Sequence, residues 1–540
     1  MKIQYRTYNL KTCWLLLVVL FLSFPQTVLA DVKLHTIFSD HMVIQRETVI
    51  PIWGWADANE IITIETSWGA SAQVITDTDG TWRADLETPE AGGPYKITVF
   101  SKNRIEINDV LSGDVWLCTG QSNMDFDMSK FIGDSREPQY QPLVEYIRNE
   151  VATANDDWIR HIEVPQSTSL YDKKTDFEDS WRAVNPDQIG KITATGYFFA
   201  KELRKHVNIP IGLLECSWGG TRVQPWISEA TYLEDENMVD YFEASRQKSK
   251  VNIEKMEAED YVDTAYQNKM KVWEANGKKG RAPRPTINPK NDMQLPATLH
   301  NSMISSIVPY KIKGAIWYQG ESNALFMTDD YEYYLTAMIN SWRTEWNQGD
   351  FPFYYAQLAG CERANDEADK GWASVNNQLR RTLKVPNTGM AVLYDIGEAK
   401  DIHPHNKMDA GKRLALWALQ NDYNIKVDAV SGPLYESMTV KGKKVEVAFN
   451  EVGSGLMVGH KNLLDATVEV KEPLKWFEIK GADGRWKSAK AKIKSNNTIE
   501  VWGKGVKHPT AVRYAWSGYP EGANLYNKEG LPAAVFSTEK

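Results

Sequence analysis

The chain has 540 residues with 62 basic and 71 acidic side chains, a formal charge of −9. An acidic chain gives no reason to expect a nucleic-acid partner. Nothing in its cysteine and histidine spacing matches a metal-ligand set.

The first thirty residues read as an export leader. Lys2, Arg6 and Lys11 form a basic start with no acid before Asp31, Leu15 to Leu22 is an unbroken apolar run, and Val28-Leu29-Ala30 offers a small-residue cleavage site. The run is too short to span a bilayer comfortably, so no membrane span is expected after cleavage. Loss of the three leader bases takes the charge from −9 to −12. The mature chain of about 510 residues, secreted or periplasmic, has room for roughly three domains.

Residues 31–108 predict an all-β module. Val49 to Trp55 and Ile61 to Thr66 are short strands, Thr76 to Trp82 is a turn, and Tyr95 to Phe100 alternates after a Gly-Gly-Pro break. A β-sandwich-like unit fits, either as a glycan-binding appendage or as a brace. From 109 to 422, strands alternate with helices, the mark of a mainly parallel sheet. Val115 to Cys118, Ile211 to Ser217, Gly314 to Tyr318, Phe353 to Leu358 and Met390 to Ile396 read as strands. Helices are predicted over Gly196 to Val207, from Tyr331 through Trp342, and around Leu414 and Trp417. A charged run from Asn252 to Asn276 and a Pro-rich return mark a helical insertion at about 232–292. β signals resume at 423 and continue to 540, around Val445, Phe477 and Val501, as a second β module. Cys118 and Cys216 sit in apolar runs and read as strand packing.

Several predicted strands end in loops of small and amide residues, and another leads towards a histidine. In a parallel sheet those ends share one edge, so Ser122, Gly219, Gly220, Asn323 and His403 can converge. Acyl transfer by a serine needs a base for the hydroxyl proton and a cradle for the oxyanion. His403 is the base candidate. The cradle candidates are the N–H of Ser122, an N–H at Gly219 or Gly220, and the amide of Asn323. No Gly-x-Ser-x-Gly elbow is present, which argues against an α/β-hydrolase.

Four ordered blocks carry a family resemblance: Gly120-Gln121-Ser122-Asn123-Met124, Ser217-Trp218-Gly219-Gly220-Thr221, Trp317-Tyr318-Gln319-Gly320-Glu321-Ser322-Asn323 and Asp401-Ile402-His403-Pro404. Phe38 to Arg46, Val512 to Trp516 and Asn524 to Asn527 match as well. The chain resembles the SGNH hydrolase superfamily and, within it, the sialate O-acetylesterase family, over nearly the whole mature length. That resemblance implies a three-layer α/β/α, flavodoxin-like core between two β modules. It also implies Ser122 as nucleophile, His403 as base, and Gly219 or Gly220 with Asn323 as oxyanion hole. The family removes acetyl groups from sugar hydroxyls without metal or organic cofactor.

Many superfamily members carry an aspartate three residues before the histidine, where this chain has Lys400; Asp401 lies two before. Three groups can therefore orient His403: the Asp401 carboxylate, the Asp401 carbonyl, or Asp395. Gln121 and Glu321 read as loop supports, His405 as a surface or helix-entry residue, and Arg222 and Trp226 as possible substrate contacts. The substrate expected is an acetylated sugar or glycan, either sialic acid or a plant polysaccharide such as xylan or xyloglucan. A glycan-binding protein without activity is the rival from another class. Oligomeric state leaves no mark in the sequence.

Overall fold

The computed structural model describes residues 31–135, 137–362 and 371–539, so the leader expected over residues 1–30 lies outside the described residues. The fold is α/β with several sheets, the largest of eleven strands. Its axis is β1, Arg104–Gly120. Burial along β1 is mixed up to Asp109 and continuous from Val110 onward. The first half is a half-solvated antiparallel partner of strand Gly92–Phe100, and the second half is covered on both faces. The border expected between 108 and 109 thus falls inside one strand that runs from the N-terminal β region into the core.

The core strands are β1, β2 (Asp156–Glu163), β3 (Ile211–Ser217), β4 (Gly314–Tyr318), β5 (Phe353–Ala356) and β6 (Thr388–Ala391). They lie side by side in the order β2-β3-β1-β4-β5-β6, and every pair among them is parallel. The chain leaves β1 towards one side and returns to the other, which makes β1 the strand where the order reverses. Register fixes the ends: Gly120 of β1 lies opposite Ser217 of β3 and Tyr318 of β4. Three consecutive loops therefore start at one level.

Helices complete the core. α1 (Ser122–Asp125) follows β1 directly, and α2 is Ala194–His206. α3 (Glu321–Phe326) and α4 (Tyr331–Trp346) follow β4, and α5 is Lys407–Asp422. Helices α2 and α5 pack tightly; a Cβ on Gly411 would lie 2.5 Å from the backbone nitrogen of Phe199. The N-terminal segment Val43–Gln45 adds a parallel strand beside β1. Gln45 Nε2 donates to the buried Asp114 carboxylate at 2.7 Å and Arg46 Nε at 3.2 Å, which ties the Phe38 to Arg46 block to the core strand.

Strands Val49–Trp55 and Ile61–Thr66, and with them β3 and β4, begin and end where their apolar runs predict. Three stretches differ. The Gly-Gly-Pro break is carried inside strand Gly92–Phe100, which absorbs it as irregular register against β1. β6 stops at Ala391, and Tyr394–Ile396 is a 3-10 turn, because Asp395 is drawn away to a bidentate pair with Arg413 at 2.6 and 2.9 Å. The charged insertion forms two helices, Val239–Met256 and Thr264–Ala275, with Asp263 capping the second through Tyr266 N–H at 2.9 Å. From Leu434 on, the chain forms antiparallel sheets that dock beside β5 and β6, with Cys361 N–H donating to Gly518 O at 2.7 Å. Among the described residues no helix is long and apolar enough to cross a membrane.

Candidate active site

The sharp exit from β1 is built on Gly120. Its φ is +135°, and a Cβ there would lie 2.2 Å from Tyr318 O, so only glycine lets β1 and β4 close together at this level. The turn delivers Ser122 onto α1 with its side chain almost covered. His403 comes from the loop between β6 and α5, and its Nε2 lies 2.8 Å from Ser122 Oγ. Phe126 presses on the imidazole, ring centroids 4.5 Å apart. Phe126 and His403, with Lys130, Phe131, Asp401, Ile402 and His405, line a cavity of about 330 Å³ beside Ser122. A larger cavity of about 720 Å³, around Tyr333, Arg381 and Trp516, includes neither Ser122 nor His403. Chemistry rather than size singles out the smaller one.

Asp401 Oδ1 accepts the backbone N–H of His403 at 2.9 Å and lies 3.5 Å from His403 Nδ1. The carboxylate therefore faces the imidazole and fixes the loop that carries it. Asp395, the outlying alternative, has both oxygens on Arg413.

The loop after β3 closes over Ser122. A Cβ on Gly219 would stand 3.2 Å from Ser122 Cβ, and Gly219 N–H donates to Asp125 Oδ2 at 3.2 Å. Burial pushes the Asp125 carboxyl up from its ordinary value. Gly220 takes a left-handed φ of +81°, and its carbonyl accepts from Gln294 Nε2 at 2.7 Å. Asn323 is fully buried on α3. Its Oδ1 accepts from Gln319 Nε2 at 2.9 Å and Val223 N–H at 3.0 Å, while its Nδ2 donates to Gln224 Oε1 at 3.2 Å and, weakly, to Met327 O at 3.4 Å. Gln121 Oε1 accepts from Gln319 Nε2 and from Ser322 N–H, each at 3.1 Å, and so links the loops after β1 and β4. Glu321 Oε1 accepts from Asn123 Nδ2 at 2.5 Å; burial pushes this carboxyl up as well.

Of the two possible substrate contacts, Arg222 remains partly exposed, with Nη1 3.1 Å from Met327 Sδ. Trp226 is corrected: its indole is fully buried, donates to Thr221 Oγ1 at 3.2 Å and meets Trp317 edge to face. It packs beneath the Gly219 loop and has no surface to offer a substrate. His405 is likewise buried rather than on the surface, with Nδ1 2.8 Å from Glu398 Oε1. Cys118 and Cys216 are buried free thiols, and Cys361 is buried as well.

Residues missed from sequence surround the pair. Phe126 and Gln319 lie within or beside the matched blocks, where their neighbours pointed to them. Asn123 sits inside a block without a distinguishing signal, and Lys407, whose Nζ meets Asn123 Oδ1, had none.

The family model described as carbohydrate esterase, sialic acid-specific acetylesterase, matches residues 112–258 and 291–420, and the stretch it skips holds helix Thr264–Ala275. The sialate O-acetylesterase of Mus musculus is 27% identical across 92% of this chain and 92% of its own length. The human sialate O-acetylesterase is 26% identical, over 92% and 91% respectively. A solved carbohydrate acetylesterase from Xanthomonas citri is 32% identical with a TM-score of 0.75, covering 94% of this chain and all of its own. With a family model over half its length and a solved relative along almost all of it, this chain is an ester hydrolase and belongs to the carbohydrate esterase family of sialic acid-specific acetylesterases.

Proposed function

We propose that the chain is an exported carbohydrate O-acetylesterase that works through an acetyl-Ser122 intermediate. The observation that carries this reading is the 2.8 Å approach of His403 Nε2 to Ser122 Oγ where the strand order reverses. Ser122 Oγ attacks the acetyl carbonyl while His403 Nε2 takes its proton. The oxyanion is held by the N–H of Ser122, an N–H at Gly219 or Gly220, and the Asn323 amide, which gives up its long bond to Met327 O. Collapse sends the His403 proton to the departing sugar oxygen. Water then attacks the acetyl group, with His403 again as base, and acetate leaves. Asp401 orients the imidazole through its carboxylate, and Gln121 and Glu321 hold the loops.

The frame for this chemistry is a three-layer SGNH core at about 109–422, with an insertion at 232–292 and β modules at 31–108 and 423–540. The leader at 1–30 directs export.

Two substrate classes fit, each with its own support. The vertebrate relatives carry the sialate name, and Arg222, which pairs with no carboxylate among the described residues, suits an anionic sugar. The Xanthomonas citri relative is named a carbohydrate acetylesterase, with no particular sugar specified. Acetate release is compared on acetylated sialic acid, xylan and xyloglucan. Release that vanishes in Ser122→Ala supports the mechanism, and release that persists rejects it. A KM raised about tenfold in Arg222→Ala on the sialate alone, the scale of one charge-assisted hydrogen bond, assigns the anionic sugar; equal effects on all three substrates remove Arg222 from recognition.

A further inference from the structure

Lys407 is the first residue of α5, and its side chain is fully buried. An ammonium in the interior forgoes its hydration and needs partners to hold it there. Its Nζ lies 2.5 Å from Asn123 Oδ1, and 5.0 and 5.5 Å from the ring centroids of Phe131 and Tyr318. Burial lowers its pKa to about 7 against the opposing pull of the Glu321, Glu398 and Asp401 carboxylates.

Asn123, equally buried, directly follows Ser122. Its Nδ2 donates to Glu321 Oε1 at 2.5 Å and to Ile402 O at 3.1 Å. Its backbone carbonyl accepts from Thr195 Oγ1 at 2.8 Å. An asparagine amide can present either end, and its neighbours decide which. When protonated, Lys407 can only donate, so it pairs only with the Oδ1 end. A flipped amide would set Oδ1 against the Glu321 carboxylate and the Ile402 carbonyl, and Nδ2 against the ammonium. In the observed orientation the amide bridges the residue after Ser122 to the residue before His403.

We propose that Lys407 is a positioning residue: as a buried donor it locks the Asn123 amide, and through it staples the Ser122 loop to the His403 loop. This rests on the Ser122–His403 mechanism proposed above. Lys407 touches no substrate and acts only on the distance and angle between the two reacting groups. A displacement on the scale of 1 Å between reacting groups costs about 100-fold in rate.

The test is a cycle of Lys407→Met, Asn123→Ala and the double variant on a chromogenic acetyl ester. Lys407→Met keeps the length and removes the donors, so kcat falls about 100-fold while KM stays within about twofold. Asn123→Ala loses a similar factor, and the double variant loses no more than either single one. Separate structural roles would instead multiply the two losses. Lys407→Gln, neutral but still a donor, recovers most of the rate. Lys407→Leu, also without a donor, takes the place of Lys407→Met in the cycle if thermal unfolding shows the methionine variant unfolded. Wild-type kcat in folded Lys407→Met, or multiplied losses in the double variant, overturns the proposal. Ser122→Ala is run beside the cycle: persistent acetate release there rejects the mechanism itself, whereas an inactive Ser122→Ala with an additive cycle rejects the role of Lys407 alone.

Discussion

The two halves of the site are held by different forces. Ser122 and the Gly219 and Asn323 loops leave three adjacent parallel strands whose ends are matched by backbone register at Gly120, Ser217 and Tyr318. His403 instead follows the outlying strand β6, beyond β5, and is brought back by hydrogen bonds to the Asp401 side chain and, through Ile402, the Asn123 side chain, and by the ring of Phe126. A ladder of backbone hydrogen bonds tolerates most side-chain changes. A half-site held by a few polar contacts does not, and losing one contact moves the base without unfolding the protein. The Ser122 half is thus rigid by topology, and the His403 half is set by residues that can each be removed.

Substitutions separate the halves. His403→Ala leaves the nucleophile half intact and abolishes the base; kcat falls about 10⁴-fold or more, read as acetate release, and activity above one-tenth of wild type excludes His403 as base. Asp401→Asn keeps the shape and removes the charge, and kcat falls by about 10² to 10⁴-fold. Near-wild-type rates there would transfer the orienting role to the Asp401 carbonyl. Asn323→Ala lies on the rigid half and costs about 10² to 10³-fold in kcat with KM little changed. A smaller loss means that the amide stays on Gln224 and Met327 during turnover. The smallest effect concerns stability. With its pKa lowered to about 7 from the ordinary 10.5, Lys407 binds its proton less readily folded than unfolded. Between those two values the unfolded chain holds the extra proton, so stability rises with pH. Lys407→Met flattens that rise, measured as denaturation midpoints at about pH 7 and about pH 9. An unchanged slope would show that the lysine keeps its ordinary pKa.

The same contrast explains what the sequence disclosed. The rigid half was legible because it is written locally: an apolar run, a glycine that must turn, then a small polar loop, repeated at β1, β3 and β4. The matched blocks sit at those ends. Side-chain architecture was less legible. Trp226 follows Arg222 closely, in a loop where an aromatic can face sugar or core, and only three-dimensional burial decides between them.

The base half was harder still. Asn123 and Lys407 are 284 positions apart, and nothing local marks a lysine at a helix start as buried. The continuity of β1 across the expected border at 108 escaped for a related reason. Only the apolar run from Val115 reads as a strand, although one strand with two different neighbours runs unbroken from Arg104 to Gly120.

The proposed mechanism requires a covalent acetyl group on Ser122, and an acid quench during turnover can trap it. The enzyme is mixed with a fast acetyl ester, quenched in acid during turnover, digested and mapped by mass. The account predicts one added acetyl group on the peptide that carries Ser122, absent from Ser122→Ala and accumulating when deacylation is slowed in Asp401→Asn. Full acetate production with no acetyl group on that peptide at any quench time would contradict it.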